Sequence, residues 1–359
     1  MRLLLAGGGT GGHLFPAVAI AQHLLANDAG SEVLFVGTEQ GIEADVLPRL
    51  QLPLKTIDIA GFVGKPWGAK LALLPKLFKS LRQSLAILDQ FRPNVVLGVG
   101  GYASGPVLVA ATQRGVPIVI HEQNAHPGLT NRLVGRWASS CCLSFAETER
   151  YFPSGSTHQT GNPVREEIRK CPPLPSGKPQ LLVFGGSRGA HAINEAVLAA
   201  LPHLSGLKGS MQIVHQTGRA DEQLVREGYR DAGWEDVVVT PFIDDMATAY
   251  ATSHLVVCRA GATTIAELTV CGRAALLIPF PHAAGDHQTA NAVALAEKGA
   301  ALHLDQSHLS GERLAELLAG LCNDRRRLEE MAGSARTFGR PDAAERVLDQ
   351  CRAVVERKV

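Results

Sequence analysis

Leu3-Leu4-Leu5-Ala6-Gly7-Gly8-Gly9-Thr10-Gly11-Gly12-His13 opens the chain, and Leu181-Leu182-Val183-Phe184-Gly185-Gly186-Ser187-Arg188-Gly189-Ala190-His191 repeats its pattern near the midpoint. In that register Gly189 falls on Gly11 and His191 on His13. Each copy is an apolar run too short for a helix, then a glycine loop, then a segment with helical spacing. Glycines there let the backbone turn tightly, and the helix that follows offers its first N–H groups to an anion. One such loop fits a simple packing turn equally well. Two in register, heading two halves of a chain, predict paired Rossmann-like domains.

The same rhythm runs through the rest. Segments 2–6, 32–36, 95–99, 117–120, 181–184, 212–215, 236–240, 255–258 and 275–279 read as strands, continuous in apolar character as parallel strands covered on both faces should be. Candidate helices lie between them, at 15–26, 263–270 and 289–297 among others. The expected fold class is α/β, with doubly wound parallel sheets. Segment 171–179, CPPLPSGKP, holds four prolines and a glycine and interrupts the rhythm, so the interdomain linker is expected there.

Composition fits this picture. A length of 359 residues predicts two domains, and 45% hydrophobic against 19% charged residues supports a sizeable core and excludes extensive disorder. Mean hydropathy is +0.05. Lys and Arg number 35 against 34 acidic residues, a net charge of +1, which leaves no global electrostatic grip on nucleic acid. Seven cysteines without a C-x-x-C read as reduced thiols, neither a disulfide frame nor a zinc site. The N-terminal apolar run is too short for a signal peptide, and no stretch approaches the roughly 18 apolar residues of a spanning helix. A soluble, cytoplasmic, two-domain protein is expected.

The loops narrow the chemistry. Gly7 to Gly12 satisfies G-x-G-x-x-G, but a NAD site also wants an acidic residue about 20 positions on. Glu39 is the nearest match and sits inside a glycine-bounded loop, so NAD is a poor second reading. A second glycine cluster at 98–106 also follows a strand, and the third, at 185–190, adds Ser187 and Arg188, groups suited to phosphate. The chain has no Walker A motif and no Asp-x-Asp pair. A diphosphate would have to be met by helix ends and arginine.

Six stretches together carry a resemblance. Gly-Gly-Thr-Gly-Gly-His (8–13), Gly-Gly-Tyr-Ala-Ser-Gly-Pro (100–106), His-Glu-Gln-Asn (121–124), Gly-Asn-Pro-Val-Arg (161–165), Gly-Gly-Ser-Arg-Gly-Ala (185–190) and Arg-Ala-Gly-Ala-Thr-Thr-Ile-Ala-Glu (259–267) occur in this order along essentially the whole chain. The chain thereby resembles the MurG family, glycosyltransferase family 28. The resemblance implies the GT-B architecture, two Rossmann-like domains facing an interdomain cleft. It implies an acceptor domain at 1–163, a donor domain at 164–340, and a final helix at 341–359 crossing back to the first domain. It implies transfer of N-acetylglucosamine from UDP-GlcNAc to undecaprenyl-linked lipid I, completing lipid II. No metal or cofactor held by the protein is implied.

Carried over by position, Thr10, Gly11 and Gly12 resemble the loop that closes on the donor, with Asn124 near the sugar. Arg165 and Ser187 resemble the groups facing the diphosphate, Ile243 the reader of uracil, and Gln288 a sugar-hydroxyl contact. Ala262, Thr263, Thr264, Ile265, Ala266 and Glu267 resemble the loop and helix start over the phosphates, with Glu267 suited to the ribose hydroxyls. His13 is the expected base and Glu122 its rival or partner; read alone, His13 also fits a helix-start packing group and Glu267 a solvated helix face. His282, Asp286 and His287 are too isolated a cluster for a metal site. An epimerase, another GT-B transferase and a non-catalytic nucleotide-sugar-binding protein are the alternatives.

Between residues 62 and 88 lies an amphipathic run. Leu71, Leu74, Phe78, Leu81, Leu85 and Leu88 recur at three- and four-residue steps, Leu73 and Leu77 widen the stripe, and Lys76, Lys79 and Arg82 flank it. Phe62 and Trp67 precede it, and Pro75 is expected to start or kink the helix. An ordinary core-facing helix fits the pattern. By the resemblance, this region and Tyr102 face the acceptor and an anionic cytoplasmic membrane surface, peripherally, with cell-wall and division proteins as further partners.

Overall fold

The structure is a computed structural model and describes residues 1–59, 74–186 and 189–358. The chain divides into two compact units: Met1–Arg165 together with Pro341–Val359, and Glu166–Arg340. Val164 and Arg165, given by sequence to the second domain, therefore belong to the first.

The first unit runs β1 (Arg2–Gly7), α1 (Gly11–Asn27), β2 (Glu32–Gly37), α2 (Glu43–Arg49), β3 (Leu54–Thr56), α3 (Leu74–Phe91), β4 (Val95–Gly100), α4 (Ser104–Gln113), β5 (Ile118–Glu122), α5 (Leu129–Val134), β6 (Ser140–Leu143) and β7 (Thr157–Gln159). Its sheet has the order β3-β2-β1-β4-β5-β6-β7, and every pair is parallel. Alternation along β1 feeds both faces. Leu3 and Leu5 join one core with α1. Leu4 and Ala6 join the other with α4 and Leu88 of α3.

The second unit runs α6 (Glu166–Arg169), β8 (Gln180–Phe184), α7 (His191–Ala200), β9 (Gln212–Gln216), α8 (Glu222–Asp231), β10 (Val237–Thr240), α9 (Met246–Thr252), β11 (Leu255–Cys258), α10 (Ala262–Cys271), β12 (Ala274–Leu277), α11 (His287–Ala296), β13 (Leu302–His303), α12 (Gly311–Cys322) and α13 (Arg325–Phe338). Its sheet order is β10-β9-β8-β11-β12-β13, again all parallel. Both sheets reverse direction beside their first strand, between β1 and β4 and between β8 and β11. Open α/β sheets bind ligands at that point, outside the carboxyl ends of the strands. The last helix, α14 (Ala343–Glu356), buries Ala344, Val347, Leu348, Cys351 and Val354 in the first unit's core.

The proline-rich segment is a correction to the sequence reading. Residues 171–179 lie inside the second unit, and the units divide instead at Arg165/Glu166 and Arg340/Pro341. Arg273, fully buried, donates to the carbonyls of Pro172 at 2.9 Å and Tyr250 at 2.6 Å. A segment poor in N–H donors still has carbonyls to give, and a buried guanidinium needs several acceptors. The segment is packed structure, not a connector.

Candidate functional site

In the first unit the site grows from the two glycine loops after β1 and β4. They touch backbone to backbone: Gly101 has φ +84°, and a Cβ there would lie 2.5 Å from the Gly8 carbonyl oxygen. Only glycine fits both demands. Thr10 caps α1 in extended conformation, and its Oγ1 lies 3.0 Å from His13 Nδ1. The His13 ring rests on Gly100, where a Cβ would meet Nε2 at 3.0 Å. The loops thus hold the imidazole from two sides at the sheet's switch point. Glu43, which the sequence reading missed, ties the first loop to the end of β2, accepting from Gly9 N–H at 2.7 Å and Thr38 N–H at 2.8 Å. The NAD-type acid Glu39 is exposed instead.

Beside them, at the end of β5, sit two buried titratable groups. His121 Nε2–H donates to the Gly161 carbonyl at 3.0 Å while Nδ1 accepts from Gln123 Nε2 at 3.1 Å. Burial pushes its pKa down to about 4, so it is a neutral structural imidazole. Glu122 is 1% exposed and accepts from Asn124 N–H (3.0 Å), Asn124 Nδ2 (3.2 Å), Asn131 Nδ2 (2.8 Å) and Gly128 N–H (3.1 Å). Burial pushes its carboxyl pKa up and these four donors pull it down. Both oxygens are committed to the loop that presents Asn124. In this structure the carboxylate therefore organises the loop that carries Asn124 and Gly128.

In the second unit a cavity of about 510 Å³ opens at the carboxyl ends of β8 and β11, lined by Gly185, Gly189, Ala190, His191, Arg259, Phe280, Gln288 and Gln306 among others. Gly189, at φ +76°, lies so close to the Thr217 carbonyl that no Cβ could be added. Gln288 Oε1 accepts from Phe280 N–H at 2.9 Å. Arg259 donates to the carbonyls of Ile278 (3.1 Å) and Pro279 (2.9 Å) and to Gln306 Oε1 (2.7 Å), and stacks over Phe280 with its carbon 5.5 Å from the ring centre. Arg259 opens the Arg-Ala-Gly-Ala stretch without a role legible from sequence, and nothing in the sequence singles out Phe280.

After β11, Gly261 caps α10, and the first turn carries Ala262, Thr263 and Thr264. Helix N-termini hold partial positive charge and outward N–H groups. Ile265 and Ala266 are buried beneath. Glu267, one turn on, is 6% exposed and accepts the Tyr250 hydroxyl at 3.0 Å. Ile243 is half-buried in the loop between β10 and α9. Asp286 accepts from Thr289 Oγ1 at 2.7 Å at the head of α11. Among the described residues no three His, Cys, Asp or Glu gather as metal ligands.

Arg165 is the last residue of the first unit, its guanidinium carbon 5.7 Å from the ring centre of Phe15 on α1. Two expectations change. The α3 stripe is not one surface: Leu81, Leu85 and Leu88 pack into the core, while Leu77 and Phe78 are 37% and 67% exposed. Lys79 and Lys76 lean on Asp58 at 2.8 and 3.6 Å, which removes part of the basic flank. Tyr102 is half-exposed on the loop after β4. Ser187, Phe62, Trp67, Leu71, Leu73 and the side chain of Leu74 lie outside the described residues.

The glycosyltransferase family 28 N-terminal domain matches residues 3–142, and the family's C-terminal domain matches residues 180–347. The chain belongs to glycosyltransferase family 28. Its first-unit loops fall within the N-terminal match and the second-unit cavity within the C-terminal one. A relative from Syntrophotalea carbinolica, named UDP-N-acetylglucosamine–N-acetylmuramyl-(pentapeptide) pyrophosphoryl-undecaprenol N-acetylglucosamine transferase, is 59% identical over 99% of both chains. The crystal structure of Acinetobacter baumannii MurG matches with TM-score 0.80 and 36% identity, covering 98% of this chain and 99% of that one. A putative UDP-N-acetylglucosamine 2-epimerase from Listeria monocytogenes has TM-score 0.71 at 14% identity, covering 99% of this chain and 96% of that one. That likeness shows the fold alone.

Proposed function

We propose that this glycosyltransferase moves N-acetylglucosamine from UDP-GlcNAc to the 4-hydroxyl of undecaprenyl-diphospho-N-acetylmuramoyl-pentapeptide, turning lipid I into lipid II with inversion at the anomeric carbon. The observation that carries the reading is the 59% identity over 99% of both chains to a relative named for that transfer.

In this reading His13 takes the proton of the acceptor hydroxyl, with Thr10 at Nδ1 and Gly100 behind the ring fixing its direction. A positioned base contributes about 10²–10⁴-fold. Glu122 holds the Asn124 loop, and Asn124 meets the sugar. The second unit receives the nucleotide: Ile243 reads uracil, Glu267 the ribose hydroxyls and Gln288 the sugar hydroxyl. As UDP leaves, charge grows on the diphosphate. The N–H groups of the α10 first turn, with Arg165 and Ser187, meet it, stabilisation that is commonly the largest contribution to such a rate. No cofactor is required.

The acceptor is a lipid, so the enzyme works peripherally at the cytoplasmic face of the membrane, through Leu77 and Phe78 on α3. Among the described residues no helix is long and apolar enough to cross a membrane. The test is release of UDP with and without a lipid I analogue. Release that requires the acceptor is expected; formation of UDP-ManNAc without acceptor would overturn the reading in favour of an epimerase.

A further inference from the structure

Glu43 opens α2 and is 1% exposed, yet it reaches out of its own element into the first glycine loop. One carboxylate oxygen, Oε2, accepts from the Gly9 N–H at 2.7 Å. The other, Oε1, accepts from the Thr38 N–H at 2.8 Å and the Thr38 hydroxyl at 3.0 Å. Three glycines from two loops are shaped around this group. A Cβ on Gly8 would lie 2.6 Å from the carboxyl carbon, one on Gly37 would lie 2.6 Å from Cγ, and one on Gly41 would run into both oxygens. Gly41 lies outside the left-handed region, so its lack of a side chain serves the space and not its backbone. By sequence alone Gly37–Gly41 is a bounded loop; in the structure its glycines are walls of a carboxylate pocket.

A glycine loop between a strand and a helix presents N–H groups that suit an anion. Here the anion is internal. We propose that Glu43 is a positioning residue for the transfer: it supplies from within the protein the anion that such a loop otherwise takes from a ligand, and thereby fixes Thr10 and His13 at the head of α1. Gly9 immediately precedes Thr10, and the α1 first turn follows, so a loop released at Gly9 N–H carries the Thr10–His13 pair with it. A shift of about 1 Å in a reacting group costs about 10²-fold in rate. The inference rests on the functional reading that gives His13 the acceptor's proton.

The experiment compares Glu43→Ala, Glu43→Asp, Gly41→Ala and His13→Ala. In Glu43→Ala, kcat with a lipid I analogue should fall about 100-fold while UDP affinity falls far less, because the nucleotide contacts proposed at Ile243, Glu267 and the α10 first turn are untouched. Excess acetate or formate, filling the vacated pocket, should restore much of the loss, and Glu43→Asp should sit between the two. Amide exchange of residues 8–13 should quicken in Glu43→Ala and slow again with acetate, a readout that needs no turnover. Gly41→Ala, which pushes the carboxylate aside with Glu43 still present, should lower kcat in the same direction and decides the matter should Glu43→Ala not fold. Normal kcat in a folded Glu43→Ala, or a loss that follows UDP affinity in place of kcat, would overturn the proposal. Loss in Glu43→Ala with carboxylate rescue beside normal turnover in His13→Ala would sink the base assignment and keep Glu43 as anchor of the loop. Absence of any transfer by the unaltered protein would sink the functional reading, with amide exchange still deciding the anchoring.

Discussion

Glu267 accepts the hydroxyl of a fully buried tyrosine, so its removal has two consequences that must be separated. Glu267→Ala takes away the proposed ribose contact and also strands the Tyr250 hydroxyl. Loss of one hydrogen bond to a charged group costs about 1.5–3 kcal/mol, and a stranded buried donor about 1–3 kcal/mol. Glu267→Gln keeps an acceptor for Tyr250. We expect both variants to raise the donor KM at least tenfold, with only Glu267→Ala lowering Tm; an unchanged donor KM in folded Glu267→Gln would remove the residue from the site. His121 gives a pH prediction. Folded, it takes a proton only near pH 4, against 6.5 for the free imidazole. Between those values the unfolded chain binds more protons, so stability falls as pH drops from about 6.5 to 4, by about 3 kcal/mol across that window. His121→Gln, titrated by denaturant melts across it, should flatten part of that fall; His215 in the second unit, pushed down to about 3 by burial, contributes to what remains. At this scale the sequence was legible where motif and chemistry coincide, as at Thr10 and His13. It was blind at Glu43 and to the hydrogen bonds of Glu122, whose partners come from loops that only the fold brings together.

The strands were legible because burial on both faces leaves continuous apolar runs, and all nine expected strands are present with ends within two residues. Those missed are β3, β7 and β13, two or three residues long, and β6, whose Ser-Cys-Cys-Leu lacks the β-branched and aromatic residues that mark a strand. Helix α1 begins at Gly11, earlier than expected, because the glycine loop itself supplies the first turn. Helix α3 shows a limit of another kind. Its period was right, but periodicity alone cannot tell a core from a membrane, and the helix divides at Ser80 into an exposed first turn and a packed remainder. The membrane prediction therefore narrows to Leu77 and Phe78. Leu77→Ser with Phe78→Ser should weaken co-sedimentation with anionic vesicles and leave turnover of a soluble acceptor analogue largely intact. Salt should matter less than the count of lysines implies, because Lys76 and Lys79 already face Asp58. Binding that ignores the double change would assign this turn to something other than the membrane.

At the scale of the molecule, the repeated strand–loop–helix opening announced two like domains, and each sheet has its strand order reversing beside the first strand. What the sequence hid was where the units divide. A run of prolines looked like a connector, but its carbonyls are bound by buried Arg273; the true crossings carry no such mark. At the second crossing the chain returns to the first unit, and α14 places Leu348, fully buried, in the core that also holds Leu14, Ile20 and Leu24 of α1. A Leu→Ala change at such a site costs about 2–5 kcal/mol. Leu348 lies only 11 residues from the chain's last position in sequence, yet the cost should fall on the unit that holds the opening strand. We expect Leu348→Ala to lower the unfolding temperature of the first unit by calorimetry while UDP affinity, proposed to reside in the second unit, stays as it was. A multidomain chain need not unfold in one step, so the two units can be read separately. Equal loss in both transitions would mean that the units unfold as one, and lost UDP affinity would mean that the final helix also shapes the donor site.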